Sequence, residues 1–191
     1  MKKIIFILMI LLGVNSMAMT LESSGIKNGN ISAEYGTYGD NIDGMPALSI
    51  PLRWKDVPKG TKSFVLVMED YDAVPVSGFS WIHWIALIPG DYTELKENAS
   101  RNDSKILQGI NSWVSSMGGL DREKASFYGG PAPPDKKHTY TFRLYALDKE
   151  IKFDGTFYLN EVYKAMKGHI LGSAELEGDV DVNNWKVADL F

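Results

Sequence analysis

The densest apolar runs lie near the middle of the chain. SFVLVMED (63–70) is continuous, β-branched and of strand length, which predicts a central strand buried on both faces. SWIHWIALIP (80–89) is a second run, stopped by Pro89 and separated from the first by the turn segment YDAVPVSGF, so the two are expected to pair antiparallel. Further strands are predicted over HTYTFRLYALD (138–148) and SAELEGDV (173–180). FYLNEVYKAMKG (157–168) is the segment with a helical period. There Leu159, Tyr163 and Met166 share a face, Asn160 offers an N-cap and Gly168 a stop.

Residues 21–47 are rich in Gly, Asn and Ser and read as short edge strands and turns. Residues 91–127 are polar, with Gly109, Gly118 and Gly119 scattered among them. A structureless connection of that length is uncommon in a compact domain. Short helices, with KILQGINSWVSSM (105–117) as the candidate, or a functional flap are therefore expected. Many strands and one or two helices predict a mainly β fold, an antiparallel β-sandwich with a few peripheral helices.

Alternation sends every second side chain of a strand to one face. It groups His138, Tyr140, Phe142 and Leu144; Trp81, His83, Ile85 and Leu87; and Phe64, Leu66, Met68 and Asp70. Each set is apolar along its length and ends in a polar or aromatic group. If those ends meet, Asp70, Trp81, His83, His138 and Tyr140 line one small cavity, beside the stiff loop YGGPAPPDKK (128–137).

Composition changes this picture at the N-terminus. Lys2 and Lys3 precede an apolar run, Ile4 to Val14, that is short for a bilayer span, and Ser16-Met17-Ala18 ends it with small residues. That is the pattern of a bacterial signal peptide cleaved after Ala18. It implies a periplasmic or secreted protein whose residues 19–191 form a single domain. With 45% hydrophobic and 12% aromatic residues, this length can bury a real core. The chain has no cysteine, so packing alone stabilises it, and thiol catalysis and thiolate metal sites are excluded. Without Lys2 and Lys3, 18 basic residues face 24 acidic ones. That balance argues against nucleic acid as a partner.

Two imidazoles, a phenol and the backbone N–H groups of Gly129-Gly130 are hydrogen-bond donors or become so. Amides in a glycine-rich turn accept anions, and phosphate is small, tetrahedral and rich in acceptors. Asp70 and Asp72 would favour imidazolium and fix which ring nitrogen meets the ligand. The plainer reading of Asp72-Ala73-Val74-Pro75 is an Asx-type turn. Catalysis lacks support: no G-x-S-x-G elbow occurs and no activated nucleophile can be named. A phosphoester hydrolase, or a metal held by His83, His138 and an aspartate, is the less favoured alternative, and no metal or cofactor is expected.

The segments DYDAVPVSGFSWIHW (70–84) and YGGPAPPDKKHTYTFRLYALD (128–148) resemble the phosphatidylethanolamine-binding proteins, in their bacterial Raf-kinase-inhibitor-like branch. That family carries a D-P-D-A-P segment, a histidine in the next strand, and a G-x-x-P-P loop closing on H-R-Y. Asp70, Asp72 and Pro75 fall on the first, Trp81 and His83 on the second, and Gly130, Pro133, Pro134, His138 and Tyr140 on the third. The resemblance implies a β-sandwich with peripheral helices and a non-catalytic anion pocket for phosphate or phosphorylated headgroups. It also implies an alternative role as a protein-interaction module that inhibits a kinase or protease. Tyr71 replaces the family's first proline, Val74 is an additional residue, Thr139 stands where arginine is common, and the stretch from Asn111 to Tyr128 is longer. His169 matches a family position outside the pocket and reads as a helix C-terminal histidine that suits the dipole.

Overall fold

The computed structural model describes residues 18–182. The expected leader, apart from Ala18, and the tail 183–191 lie outside the described residues. In chain order the strands are β1 (Thr20–Glu22), β2 (Ile26–Lys27), β3 (Asn30–Ile31), β4 (Asn41–Ile42), β5 (Met45–Pro46) and β6 (Leu52–Lys55). They continue with β7 (Ser63–Asp70), β8 (Trp81–Pro89), β9 (Glu94–Leu95), β10 (Leu107–Gln108), β11 (His138–Leu147) and β12 (Ile170–Val180). The helices are α1 (Val74–Ser77), α2 (Ala99–Asn102) and α3 (Leu159–Met166).

Seven strands form one mixed sheet in the order β10-β8-β7-β11-β12-β3-β2, and β1-β6-β9 form a smaller one. The expectation for β7 holds: all eight of its residues are buried, and it lies antiparallel between β8 and β11. Its apolar run has two cores to fill. Phe64, Leu66 and Met68 face the small sheet with Trp84, Ala86, Phe142 and Leu144, while Val65 and Val67 face Ile85, Leu87, Val162 and Met166. Trp54 of β6 meets Phe64 edge-on at 5.2 Å between ring centroids, locking the two sheets together. The fold is thus mainly β, with a three-stranded layer on one face of the large sheet and α3 on the other. Among the described residues only β12 and β3 pair parallel within that sheet.

Some local expectations shift. Helix α3 starts after Tyr158, not at Asn160, because the Glu161 carboxylate accepts from the Tyr158 amide at 2.9 Å and closes the first turn itself. Leu159, Val162 and Met166 are buried, whereas Tyr163 is exposed. Gly168 ends the helix at φ +81°, a left-handed conformation glycine takes without a Cβ penalty. His169 then pairs through Nδ1 with Asp148 Oδ1 at 2.8 Å. The supposed helix over 105–117 is instead β10 followed by a 3-10 turn at Ser112–Val114. The turn 71–79 contains α1, with Pro75 in its first turn. No helix among the described residues is long and apolar enough to cross a membrane.

Candidate functional site

Strict alternation would put Trp81 and His83 on the outer layer with Ile85 and Leu87. The structure turns them inward. Met68 pairs with Trp84 but Glu69 pairs with Ile82, so His83 is the additional residue of a β-bulge. The bulge shifts the phase of β8 by one residue. Beyond it, Trp81 lies opposite Asp70, which lies opposite Tyr140 of β11, and these three share the inner face. The His83 ring meets Tyr140 edge-on at 5.1 Å, and the His138 ring lies 6.5 Å from Tyr140. The strand ends therefore converge as expected, by a register slip that periodicity alone does not contain.

The bulge is tied to the proline-rich loop from both sides. Gly129 N–H donates to the His83 carbonyl at 2.9 Å, and His83 Nδ1–H donates to the Gly129 carbonyl at 2.5 Å. Because a carbonyl only accepts, the hydrogen resides on Nδ1. Burial holds the His83 pKa below its ordinary value, against the opposing pull of Asp70, so the ring is neutral at neutral pH.

His138 is held differently. Its Nδ1 lies 2.7 Å from Asp70 Oδ2 and its Nε2 2.9 Å from Asp135 Oδ1. Two carboxylate acceptors on two ring nitrogens call for two N–H groups. Asp70 is itself fixed, since its Oδ1 accepts from the Ala73 amide at 3.1 Å. The hydrogen bond from His138 holds the Asp135 carboxyl below the usual carboxylate range.

A cavity of about 180 Å³ sits against this group, larger than the apolar cavity of about 150 Å³ known to take up benzene. Asp70, Trp81, His83, Pro134, His138 and Tyr140 of the expected set line it. Three expected residues do not. Asp72 is spent on the backbone, accepting from Thr139 N at 3.0 Å. Gly130 donates its amide to Pro46 O, and a Cβ there would lie 2.1 Å from Tyr35 O. Its glycine is required for close packing, and with Gly129 also engaged, neither amide is free for an anion. Pro133 is buried within the loop. His138 is likewise no free donor, because both nitrogens already face carboxylates.

The remaining wall comes from residues that were not expected at the site. Helix α1 supplies Val76 and Ser77, and the polar 111–127 segment supplies Trp113 and Met117. Asn111 positions Trp113: its side chain accepts from Trp113 N at 2.9 Å and donates to Phe127 O at 2.7 Å. Trp81 stacks on Phe79 at 5.8 Å and meets Trp113 edge-on at 5.9 Å. A lone tryptophan in an Asn- and Ser-rich stretch was the available hint. Asp135, too, escaped sequence reading.

Two polar groups of this wall are unsatisfied. Tyr140 Oη and Trp113 Nε1 are buried and make no hydrogen bond. The nearby Ala132 amide offers Tyr140 only poor geometry. Burial, reinforced by the Asp70 charge, raises the Tyr140 pKa far above its ordinary value, so the hydroxyl keeps its proton. Tyr71, at the family's proline position, points elsewhere. Its hydroxyl bonds Glu69 and Arg143 outside the cavity. Among the described residues no group of three His, Asp or Glu is placed to hold a metal ion.

Comparison with known proteins places the fold in a family. The family model for phosphatidylethanolamine-binding protein matches residues 22–181. The uncharacterized protein YxkA of Bacillus subtilis is 44% identical over 150 residues, spanning 75% of this chain and 89% of its own. A crystal structure of a phosphatidylethanolamine-binding protein homologue from Chlamydia trachomatis superposes with a TM-score of 0.70 at 34% identity, covering 85% of this chain and 97% of that one. YbcL of Escherichia coli gives 0.70 at 27% identity, covering 87% and 99%.

Proposed function

The chain belongs to the phosphatidylethanolamine-binding protein family, and from that premise we propose that it is an exported, non-catalytic binding protein for phosphate or a phosphorylated headgroup. The observation that carries this reading is the Tyr140 hydroxyl, buried without a partner between the His83 and His138 rings and beside an open cavity. An unsatisfied buried donor costs about 1–3 kcal/mol, which a ligand oxygen would recover. The resemblance supplies the chemical class, since a tetrahedral oxyanion offers acceptors on every side.

A non-catalytic role is supported by how the polar groups are spent. Ser77 Oγ lies 3.0 Å from Ala73 O and 2.6 Å from Phe79 O, and donates there rather than to an imidazole. His83 is neutral with Nδ1 engaged, and both nitrogens of His138 face carboxylates. Export rests on the leader pattern in residues 1–18. N-terminal sequencing of periplasmic and secreted fractions should return Met19 as the first residue. An uncut chain would remove that part of the proposal.

Calorimetry of the chain from Met19 with inorganic phosphate and with phosphoethanolamine tests the ligand class. We expect saturable binding, weakened about tenfold or more in Tyr140→Phe, as befits a hydrogen bond to a charged group. No heat from either compound at tens of millimolar would end the anion reading. A second role, binding and inhibiting another protein, draws support from the exposed Val76 and Met117 of the cavity wall and the exposed Val74 and Phe79 of the adjoining turn. It would be favoured instead if phosphate failed to bind.

A further inference from the structure

We infer that the Asp135 carboxylate is a built-in occupant of the anion position, and that it sets which ligands the pocket accepts. The inference rests on the anion reading above and adds to it a residue that competes with the ligand.

The argument begins with what holds each end of His138. On the inner side, Asp70 is fixed by the Ala73 amide and by its place at the end of β7, with only 3% of its surface exposed. It orients the ring. On the outer side, Asp135 sits on a loop tip whose residues 134–137 are all exposed, and its own side chain is 46% exposed. The His138 side chain between them is wholly covered. The outer carboxylate thus closes the last polar face of a buried imidazole, which a solvent-facing aspartate can leave without dragging the core with it.

The loop is built for such a division. Up to Pro133 it is anchored, by Gly129 to His83, by Gly130 to Pro46 and by Thr37 Oγ1 to Pro131 O at 3.3 Å. Past Pro134, side chains hold the tip: Asp135 to His138, and Lys137 Nζ to Asp179 at 2.5 Å. Stiff stem and loosely tethered end differ in how readily they move.

The chemistry of the contact names the ligand. A ring N–H that donates to a carboxylate oxygen at 2.9 Å is equally a donor to other oxyanions. Asp135 therefore marks the place where a phosphate oxygen would bond, and while it remains, a second anion meets both an occupied donor and a like charge. Asp72 lies nearby but is fixed to the Thr139 amide, so it cannot play this part. Removing Asp135 should leave the site able to bind the anion and free of its competitor. The contact is open to solvent on its aspartate side and Asp135 can leave into water, so the gain is modest: about two- to fivefold tighter binding.

The test is titration of wild type, Asp135→Asn and Asp135→Ala with inorganic phosphate, followed by calorimetry and by the His138 ring ¹⁵N resonances. Asparagine removes the charge, and alanine also removes the acceptor in case an amide oxygen keeps the contact. Tighter binding in both variants, with the same His138 Nε2 shift at saturation as in wild type, is the expected result. Equal dissociation constants in all three proteins would overturn the competitor role while leaving the anion pocket standing, as would saturation that leaves Nε2 unmoved. Absence of binding in all three would instead sink the anion reading, and this inference with it.

Discussion

Replacing Tyr140 by Phe should stabilise the ligand-free protein and weaken its ligand, two effects of opposite sign from one oxygen atom. The side chain is fully buried, with 0% of its surface exposed, and packs among Phe142, Trp84 and Met68. Phenylalanine keeps the ring and every apolar contact. What disappears is a hydroxyl that has lost water and gained no partner, a penalty of about 1–3 kcal/mol. The Ala132 amide, which points near the oxygen, loses a poor acceptor in exchange, so the low end of that range applies and a net gain of about 1 kcal/mol is expected. For a domain of this size that is a rise of about 2–4 °C in Tm. Phosphate at a hundred times its dissociation constant stabilises the wild type by about 2.7 kcal/mol. At that concentration the variant, binding about tenfold or more weakly, should recover only part of this. Urea unfolding with and without phosphate measures both arms. Should Tyr140→Phe lower stability by about 1 kcal/mol or more without ligand, the hydroxyl has a bond that the geometry does not show and the reasoning fails.

Gly130→Ala should cost about 3 kcal/mol or more, because the new Cβ would meet the Tyr35 carbonyl at 2.1 Å and backbone cannot yield as a side chain can; the urea midpoint reads it. Asn111→Ala removes the pair of bonds that hold Trp113 and Phe127, and should cost about 1–3 kcal/mol while weakening phosphate binding in calorimetry. Stability should fall in two steps on acidification. The His83 pKa is depressed by burial, so its contribution is whole above its ordinary 6.5 and is lost as pH drops from there through its lower folded value. Asp135 and Asp179 are depressed by their partners His138 and Lys137, so theirs is whole above the ordinary 3.8 and is lost below it. His83→Gln should remove the first step in a pH series of unfolding midpoints and leave the second.

The long strands were legible because burial writes itself into composition. A strand covered on both faces, like β7, needs an unbroken apolar run, and β11 needs alternation. Convergence of Asp70, Trp81, His83, His138 and Tyr140 was legible too, through the identities at the strand ends. The reason for it was not. Periodicity assumes an uninterrupted pleat, and the slip at His83 violates that assumption without leaving a glycine to announce it. Hydrogen-bond allegiance was equally hidden. Gly129 and Gly130 carry the right amides for an anion, yet His83 and Pro46 claim them first, and Asp72 is claimed by Thr139. Helix α3 shows the same limit at smaller scale, since Asn160 is the better cap by type while Glu161 closes the turn by reach. Trp113 and Met117 arrive from a polar segment whose course depends on Asn111, a long-range tether that no local pattern encodes.

The slip at His83 also bears on how this receptor could be rebuilt elsewhere. Were β8 an uninterrupted pleat with every side chain retained, His83 would fall opposite Glu69, and the imidazole and the indole of Trp81 would both swing toward α3. Pairing register in that short interval thus outranks residue identity. Anyone grafting the pocket onto another two-layered scaffold must import the misstep along with the side chains it delivers.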